Sequence, residues 1–511
     1  MDSIELSLFA SRVSAVCEEM GAVLRRAAFS PNIKDRLDFS CAVFDREGQL
    51  CAQAAHIPVH LGSMAFAMAD IVARLEWQAG DMIILNDPFL GGTHLPDVTL
   101  IAPLFVEGVL LGFVANRAHH ADIGADSPGS MPISRHLHEE GRVIPPSRLV
   151  RAGQLDEAFL QGLTEGLADP RQSRGDFAAQ ISANQTGVKR LQALVTGMGC
   201  DAYLGALQAL NDYGERLARS TLGDIPDGCY SFQDVLDDDG LGREGIPIKV
   251  AIEVRGERIG VDFAGTAEQV EGNINCPLSV AVAAVYYVFR CLMPPQAPAC
   301  AGSFRAISVA APAGCLLNAR RPAAVAAGNV ETSSRVVDVV IGALALAMPE
   351  RMAAASQGTM NNLAMGSRAE GGRWDYYETI GGGMGGNARH PGLSAVQSHM
   401  TNTLNTPIES LEMHYPLRLR RYQLRRGSGG YGVHPGGDGL VREFEFLRPT
   451  EVTLLTERRL NAPWGMAGGG NGQVGINSLD GQRLPGKVRF QAGPGQRLTV
   501  ETPGGGGWGG V

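Results

Sequence analysis

Hydrophobic and polar positions repeat with different periods in successive parts of the chain. Residues 3–27 place apolar side chains at helical spacing and charged side chains on the opposite face, which predicts an amphipathic helix. Two strands are predicted next, DFSCAVFD and QLCAQA, joined by a short turn at 46–48. A helix is then expected from Leu61 to about Trp77, and further core helices lie between 155 and 222.

The segment 81–124 contains the clearest strand pair. Its apolar run LIAPLFVEGVLLGFVA predicts two strands broken at Glu107-Gly108. Because a hairpin brings its two ends together, the turn before the first strand lies beside the turn after the second. His94 and Asp97 belong to one of these turns, and His119 and His120 belong to the other.

The pattern changes after Pro226-Asp227-Gly228. Segments such as IPIKVAIEVRG and RIGVDFAGTA alternate in the manner of an antiparallel sheet, and an apolar helix follows them. The chain has 66 glycines, and runs of them recur after 380, between strands. They indicate tight turns and close backbone approach rather than a linker. We predict a multi-domain α+β protein with domains at 1–225, 226–330 and 331–511.

Composition narrows the class of protein. The net charge is −9 and no dense block of lysine and arginine occurs, which argues against a nucleic-acid partner. The longest central apolar run, VVDVVIGALALAM, is too short to span a bilayer. The nine cysteines are scattered without a CxxC pair, and the N-terminus lacks a basic segment of a signal peptide. These features favour a cytoplasmic protein without membrane contact.

The clustered imidazoles and carboxylates of the central segment suggest a divalent metal. His94, Asp97 and His119 have the composition of a catalytic zinc, manganese or iron site with an open position. The alternative is that Asp97 caps a turn and His119 is a core histidine. Asp38, at a strand start, either reaches the same site or caps a neighbouring turn.

Two further segments carry polar groups. The loop at 126–148 holds several titratable residues, including Glu140, and is a candidate lid or substrate loop. For His136 and His138 in this loop, a solvated cluster of charged residues is a better interpretation than a role in a site. Before the helix RVVDVVIGALALAM, Ser333 or Ser334 is expected to act as a helix cap.

Several motifs extend from about residue 3 to the C-terminus: NIKDRLDFSCAVFD, HIPVHLGSM, GGTHLPD, NRAHHADIG, EEGRVIPP, GNVETSSRV and TPGGGGWG. Together they resemble the hydantoinase B family, which also includes the C-terminal half of 5-oxoprolinase and the alpha subunit of acetone carboxylase. The combination of GGTHLPD with NRAHHADIG is the most specific part of this resemblance.

The resemblance implies a subunit that acts with a hydantoinase A-type partner. That partner holds ATP and phosphorylates an amide, lactam or enol oxygen of the substrate, and the B-type subunit then handles the activated intermediate. No Walker A motif occurs in this sequence, which is compatible with an ATP site in the partner.

The resemblance also assigns site residues. The family's metal ligands fall on His94, Asp97 and His119, with Asp38 as a further candidate, and zinc or manganese is the expected ion. The catalytic candidates are His120, Asp122 and Glu140. They are expected to orient the metal ligands or to act as the general base.

We therefore expect a B-type subunit of an ATP-dependent amidohydrolase that opens a cyclic amide such as a hydantoin, oxoproline or another lactam, in a hetero-oligomer. The chain is short beside the carboxylase alpha subunits and carries no fused A-type half, so we expect a separate partner chain. One alternative is a subunit of a bicarbonate-dependent ketone carboxylase. Another is a scaffold subunit with a structural metal, for which a closed four-ligand site is expected.

Overall fold

The computed structural model describes residues 1–54, 56–369 and 372–510. Its first part contains seven strands: β1 (Phe39–Asp45), β2 (Leu50–Gln53), β3 (Met82–Leu85), β4 (Asp97–Val106), β5 (Val109–His119), β6 (Ser147–Arg151) and β7 (Gln154–Leu155). They form one antiparallel sheet in the order β2-β1-β5-β4-β3-β6-β7. The predicted hairpin is confirmed: β4 and β5 pair along their length and turn at Glu107 and Gly108.

Helices cover both faces of this sheet: α1 (Ser3–Ala27), α2 (Pro31–Lys34), α3 (Pro58–Ala73), α4 (Glu157–Thr164), α5 (Pro170–Met198) and α6 (Cys200–Leu222). Successive strand residues point to opposite faces. Val114 accordingly packs with the helices α1, α5 and α6, whereas Phe113 packs with α3. Burial of apolar side chains on both faces makes this sheet the centre of the first part of the molecule.

The predicted start of α3 at Leu61 is wrong. The helix begins at Pro58 and ends at Ala73, before Trp77. Proline suits the first helical position, because its missing N–H would have no partner there. The earlier start places His60 in the first turn of α3.

The middle of the chain forms a four-stranded sheet from β8 (Gly228–Asp238), β9 (Glu244–Arg255), β10 (Arg258–Asp262) and β11 (Ile307–Ala310). Their order is β11-β10-β9-β8, and all neighbours are antiparallel except the parallel pair of β10 and β11. The helices α7 (Leu278–Leu292) and α8 (Ser333–Ala347) share its hydrophobic core. The domain boundaries at 225 and 330 remain predictions.

The predicted cap at Ser333 or Ser334 is wrong. A π-helical turn, Gly328–Thr332, runs directly into α8. The Ser333 hydroxyl donates to the carbonyl of Asn329 at 2.6 Å, and the Ser334 hydroxyl donates to the carbonyl of Val330 at 3.0 Å. Both serines therefore lie inside continuous helical structure rather than at its start.

The last part of the chain contains α9 (Ile408–His414) and nine strands: β12 (Asn362–Ser367), β13 (Trp374–Glu378), β14 (Leu417–Arg425), β15 (Gly439–Phe446), β16 (Thr450–Leu455), β17 (Ile476–Leu479), β18 (Gln482–Leu484), β19 (Lys487–Ala492) and β20 (Arg497–Glu501). The strands form two antiparallel sheets, in the orders β13-β12-β16-β19 and β14-β15-β20-β17-β18. The fold is thus the multi-domain α+β arrangement that the sequence predicted.

The glycine runs pack against each other, backbone to backbone. Gly505 donates its N–H to Gly437 at 2.9 Å and accepts one from Gly430 at 2.8 Å. A Cβ atom on Gly505 would lie 1.9 Å from the carbonyl oxygen of Met384. The predicted close approach of backbones is confirmed, because no side chain fits between these segments.

Within the described residues, every helix is too short or too polar to cross a bilayer.

Candidate metal centre

The strand register brings the first candidate ligands together. Asp97 begins β4 and His119 ends β5, and the two residues face each other across the pair. The N–H of Asp97 donates to the carbonyl of His94 at 3.1 Å, which closes the turn before β4. Pro96 restricts φ within this turn. The hairpin and its rigid turn therefore bring together the three residues that the sequence clustered.

Three buried side chains converge at this point. Asp97 Oδ1 lies 3.1 Å from His119 Nδ1, and Asp97 Oδ2 lies 3.2 Å from His94 Nε2. One ligand atom from each residue lies within 4.8 Å of the other two. Tetrahedral zinc ligands at their usual bond lengths lie about 3.3 Å from each other. The observed separations fit one ion held between the three residues.

The hydrogen bonding of His94 supports this fit. Its Nδ1 lies 3.1 Å from the carbonyl oxygen of Ala326, which assigns the proton of the neutral ring to Nδ1. The Nε2 atom then faces the carboxylate of Asp97, and this contact requires either a proton or a metal ion between the two atoms. Among the described residues, neither this Nε2 nor that of His119 makes a hydrogen bond.

A small cavity adjoins the three residues. Its volume is about 20 Å³, which is room for roughly one water molecule. Its lining includes Asp38, His60, His94, Asp97 and His119. The cavity therefore offers room for about one ion or water molecule among these five side chains.

Asp38 borders the cavity but lies outside the compact cluster of three. Its carboxylate lies 3.9 Å from the guanidinium of the buried Arg36, and its backbone carbonyl accepts the N–H of His119 at 3.0 Å. Asp38 thus fixes the end of β5 through its backbone, and its side chain remains available on the cavity wall.

His60 is a site residue that the sequence pattern did not predict. Its Nε2 lies 3.2 Å from Asp97 Oδ2, and the residue is buried. Because the predicted helix began at Leu61, His60 was placed before the helix, without a contact. Pro58 could have indicated the correct start of α3, because proline is favoured at the first position of a helix. A helix that starts at Pro58 places His60 in its first turn, beside the site.

An outer layer of groups fixes the orientation of the cluster. Asp97 Oδ2 accepts hydrogen bonds from the Thr93 hydroxyl at 2.8 Å and from the Asn329 amide at 3.1 Å. Glu140 accepts the N–H groups of Val325 at 2.9 Å and Ala326 at 2.9 Å, and so holds the carbonyl that faces His94. Glu140 therefore acts on the cluster through the backbone at Ala326.

Tyr377 on β13 extends this layer. Its ring stacks on His119 with centroids 4.5 Å apart, and the Arg36 guanidinium lies 5.0 Å from the centroid of the Tyr377 ring. The Tyr377 hydroxyl donates to Asn362 at 2.6 Å. Stacking and hydrogen bonding together restrain the imidazole plane of His119.

The other two catalytic candidates line a different cavity, of about 350 Å³. His120 follows His119 and points away from the metal cluster, where it stacks on Phe177 and its Nε2 lies 3.0 Å from Gln180 Oε1. Asp122 accepts the N–H groups of Gly124 and Ala168 at 2.8 and 2.7 Å. The structure thus groups His94, Asp97 and His119, and separates His120 and Asp122 from them.

Burial and charge act against each other on the pKa values of the cluster. Burial lowers the pKa of His94, but the Asp97 carboxylate outweighs it and raises that pKa overall. Burial raises the pKa of Asp97, and the surrounding histidines reverse this and hold it well below its usual range. Burial lowers the pKa of His119, and it raises the pKa of Glu140 to about 7. A proton on His94 therefore competes with a metal for the same lone pair.

Comparison with known proteins decides the family. The family model described as Hydantoinase B/oxoprolinase matches residues 2–511 of this chain. The chain belongs to the hydantoinase B/oxoprolinase family. This confirms the resemblance that the sequence motifs indicated.

Relatives in this family differ in length. The chain is 31% identical to the B-type subunit of a putative D-/L-hydantoinase from Pseudomonas sp. (strain NS671), over 100% of this chain and 90% of that protein. It is 39% identical to 5-oxoprolinase 1 of Arabidopsis thaliana, over 99% of this chain but only 42% of that protein. The chain thus spans less than half the length of that oxoprolinase.

Two solved structures share the fold of this hydantoinase B/oxoprolinase chain. An ATP-dependent caprolactamase from Pseudomonas jessenii superimposes with a TM-score of 0.93 at 29% identity, over 100% of this chain and 91% of that one. A nucleotide-free acetone carboxylase structure gives a TM-score of 0.89 at 17% identity, over 99% of this chain and 76% of that one. The second likeness is one of fold alone.

Proposed function

We propose that this chain is the B-type subunit of an ATP-dependent amidohydrolase that opens a cyclic amide, such as a hydantoin, oxoproline or another lactam. An A-type partner subunit would phosphorylate the amide oxygen, and ring opening would follow at the metal cluster of this chain. The observation that carries the proposal is the buried group of His94, Asp97 and His119 beside a cavity with room for one water molecule.

The relatives support the hydrolase reaction. One is named as the B-type subunit of a hydantoinase, others are named 5-oxoprolinase, and the caprolactamase superimposes over the whole chain. Each of these names refers to a cyclic amide or its ring opening. The A-type partner is part of the proposal, and this chain matches 42% of the Arabidopsis 5-oxoprolinase.

In this proposal His94, Asp97 and His119 would hold zinc or manganese, and Asp38 is a further candidate on the wall of the same cavity. A divalent ion bound there would lower the pKa of a water molecule and polarise the substrate oxygen. The protein's own contribution is orientation: Thr93 and Asn329 fix the Asp97 carboxylate, and Ala326 fixes the tautomer of His94.

The acid–base groups are also part of the proposal. Glu140 is buried and has a pKa of about 7, which suits a group that exchanges a proton near neutral pH. Its contacts to Val325 and Ala326 place it behind His94, so we propose that it positions that ligand. His120 and Asp122 would act from the neighbouring cavity, on the polar part of a substrate or on a proton path.

A small cavity at the cluster supports a catalytic metal over a purely structural one. A structural site is closed by four protein ligands, whereas a catalytic site keeps one position for water or substrate. The compact group has three protein ligands, and the cavity that His94 and His119 line has room for about one water molecule. This favours a catalytic role for the chain over a scaffold.

The test combines metal analysis with turnover. Wild type is expected to hold about one zinc or manganese per chain and to hydrolyse cyclic amides with ATP and its A-type partner, without a requirement for bicarbonate. We expect His94→Ala and Asp97→Ala to lose the metal and the turnover together. The matched control His390→Ala removes an exposed histidine and should leave both unchanged.

Two outcomes would contradict the proposal. Full turnover in a metal-free His94→Ala variant would remove the metal from the mechanism. Product formation only in the presence of bicarbonate would instead assign the chain to a carboxylase.

A further inference from the structure

The metal cavity is too small for the substrate that we propose. Its volume of about 20 Å³ accommodates one water molecule, and a cyclic amide is several times larger. The substrate must therefore bind first in a neighbouring space and reach the cluster when a wall moves.

One neighbouring cavity has the size and lining of a small-molecule site. Its volume is about 330 Å³, within the usual range for ligand cavities. Tyr286, stacked on Phe304 with centroids 4.2 Å apart, and Tyr287 supply aromatic surface. Gln53, His56, Asn402 and Arg290 add polar groups, and the Arg290 guanidinium donates to the carbonyls of Pro294 and Ala297. Apolar faces with a few polar groups match a neutral amide ring.

Only a thin wall separates this cavity from the metal cavity. His56 and Pro58 line the larger cavity, whereas Ile57, Val59 and His60 line the metal cavity. The same division occurs in a second segment, where Asn402 lines the larger cavity and its neighbours Thr401 and Thr403 line the smaller one. Each segment of the wall is therefore one chain thick.

One long backbone hydrogen bond joins the two wall segments, whose side chains Ile57, Val59 and Met400 also share a hydrophobic core. In the part of the chain that the structure describes, the backbone hydrogen bond between them runs from the Val59 N–H to the Met400 carbonyl, at 3.4 Å. This exceeds the usual length of about 3.0 Å. His399, which precedes the second segment, has its Nε2 atom 3.4 Å from Asp338 Oδ1. Because His399 is held there, opening of the wall requires residues 400–403 to move and the long backbone hydrogen bond to break.

A different cavity is lined by His120, the residue after the cluster member His119, but its chemistry suits the substrate less well. That cavity of about 350 Å³ is lined by many charged groups, including Lys34, Arg373 and five aspartates: Asp35, Asp122, Asp169, Asp176 and Asp375. Strongly charged walls do not favour the apolar face of a neutral ring.

We propose that the cavity of about 330 Å³ is the binding site for the cyclic amide ring, which reaches the metal cluster when residues 57–60 separate from 400–403. This inference rests on the proposed function, because it takes the cyclic amide as the ligand. It assigns substrate recognition to Tyr286, Tyr287 and Asn402, none of which belongs to the metal cluster.

The test measures binding without turnover. Saturation-transfer NMR on the full chain uses hydantoin, 5-oxoproline and ε-caprolactam as probes. Asn402→Trp, at an exposed position on the cavity mouth, and Ala299→Phe, on the cavity wall, should each weaken binding of the bound probe at least fivefold. Asp70→Trp places the same bulk at an exposed position on another cavity and should leave binding unchanged.

Metal content is measured for every variant, and it should match wild type. Equal probe binding in wild type and both cavity variants overturns the inference, as does the lack of binding of any probe to wild type. The proposed function fails separately: if the complex with the A-type partner shows no ATP-dependent hydrolysis while Asn402→Trp still abolishes probe binding, the cavity remains a cyclic amide site and the reaction is wrong.

Discussion

At the scale of single residues, Asp97 is the centre of the site. Its buried carboxylate faces three imidazoles and accepts hydrogen bonds from Thr93 and Asn329. The sequence was sufficient to pair Asp97 with His119, because hairpin register follows from the apolar pattern and the turn. It was insufficient for His60, whose contact depends on a helix start that differs by three residues from the prediction.

His56 gives a pH prediction at this scale. Burial, with the nearby His60, lowers its pKa from 6.5 to about 4. Below pH 6.5 His56 is protonated in the unfolded chain but stays neutral in the folded chain. The free energy of unfolding therefore falls by up to about 3 kcal/mol as the pH falls from 6.5 to 4. Well above pH 6.5 both states are neutral and the residue contributes no slope.

Urea titrations between pH 4 and pH 7 test this. His56→Gln should lose part of the acid sensitivity of wild type, whereas His138→Gln, at an exposed position, should keep all of it. The same pH slope in wild type and His56→Gln would show that His56 is not the group that titrates.

At the scale of elements, the glycine runs pack against each other through their backbones, without side chains between them. Gly383, Gly437 and Gly505 come from three separate segments, and the backbone atoms of these segments are in direct contact. The sequence predicted close approach from the glycine content. It did not predict which runs meet, because identical residues carry no information about their partners.

Gly505→Ala tests this packing. The new Cβ would lie 1.9 Å from the Met384 carbonyl oxygen, so the backbone must shift and we expect a loss of about 3 kcal/mol or more in the free energy of unfolding. In contrast, Gly205→Ala lies in the exposed interior of α6 with open space around it, and it should stabilise the protein by about 0.5–1 kcal/mol. Equal stability of the two variants in urea titrations would contradict the proposed packing.

At the scale of the whole molecule, distant segments complete the metal cluster. Asn329 follows Asp97 by 232 residues, and Tyr377 lies still farther along the chain. Local patterns predicted the helices, the strands and the ligand turns. They could not predict these contacts, because the packing of one part of the chain against another leaves no periodic signal in either.

Tyr377→Ala measures this long-range support. Loss of the ring removes the stack on His119, and we expect the dissociation constant of the bound metal to rise about 10-fold to 100-fold. Tyr377→Phe keeps the stack and loses only the hydrogen bond to Asn362, so its effect should be smaller. Competition with a chromophoric chelator gives both values, and unchanged affinity in Tyr377→Ala would exclude a role for the stack.

The contact between Asn329 and Asp97 has a consequence for biosynthesis. On the ribosome, the two histidines and the aspartate of the cluster emerge long before Asn329 and the tyrosine that stacks on His119. A nascent chain can therefore form the hairpin early, but it cannot orient the carboxylate until the later segments dock. With the proposed metal, stable capture of the ion would then be a late step of maturation, and it would report that distant parts of the polypeptide have been synthesised and correctly assembled.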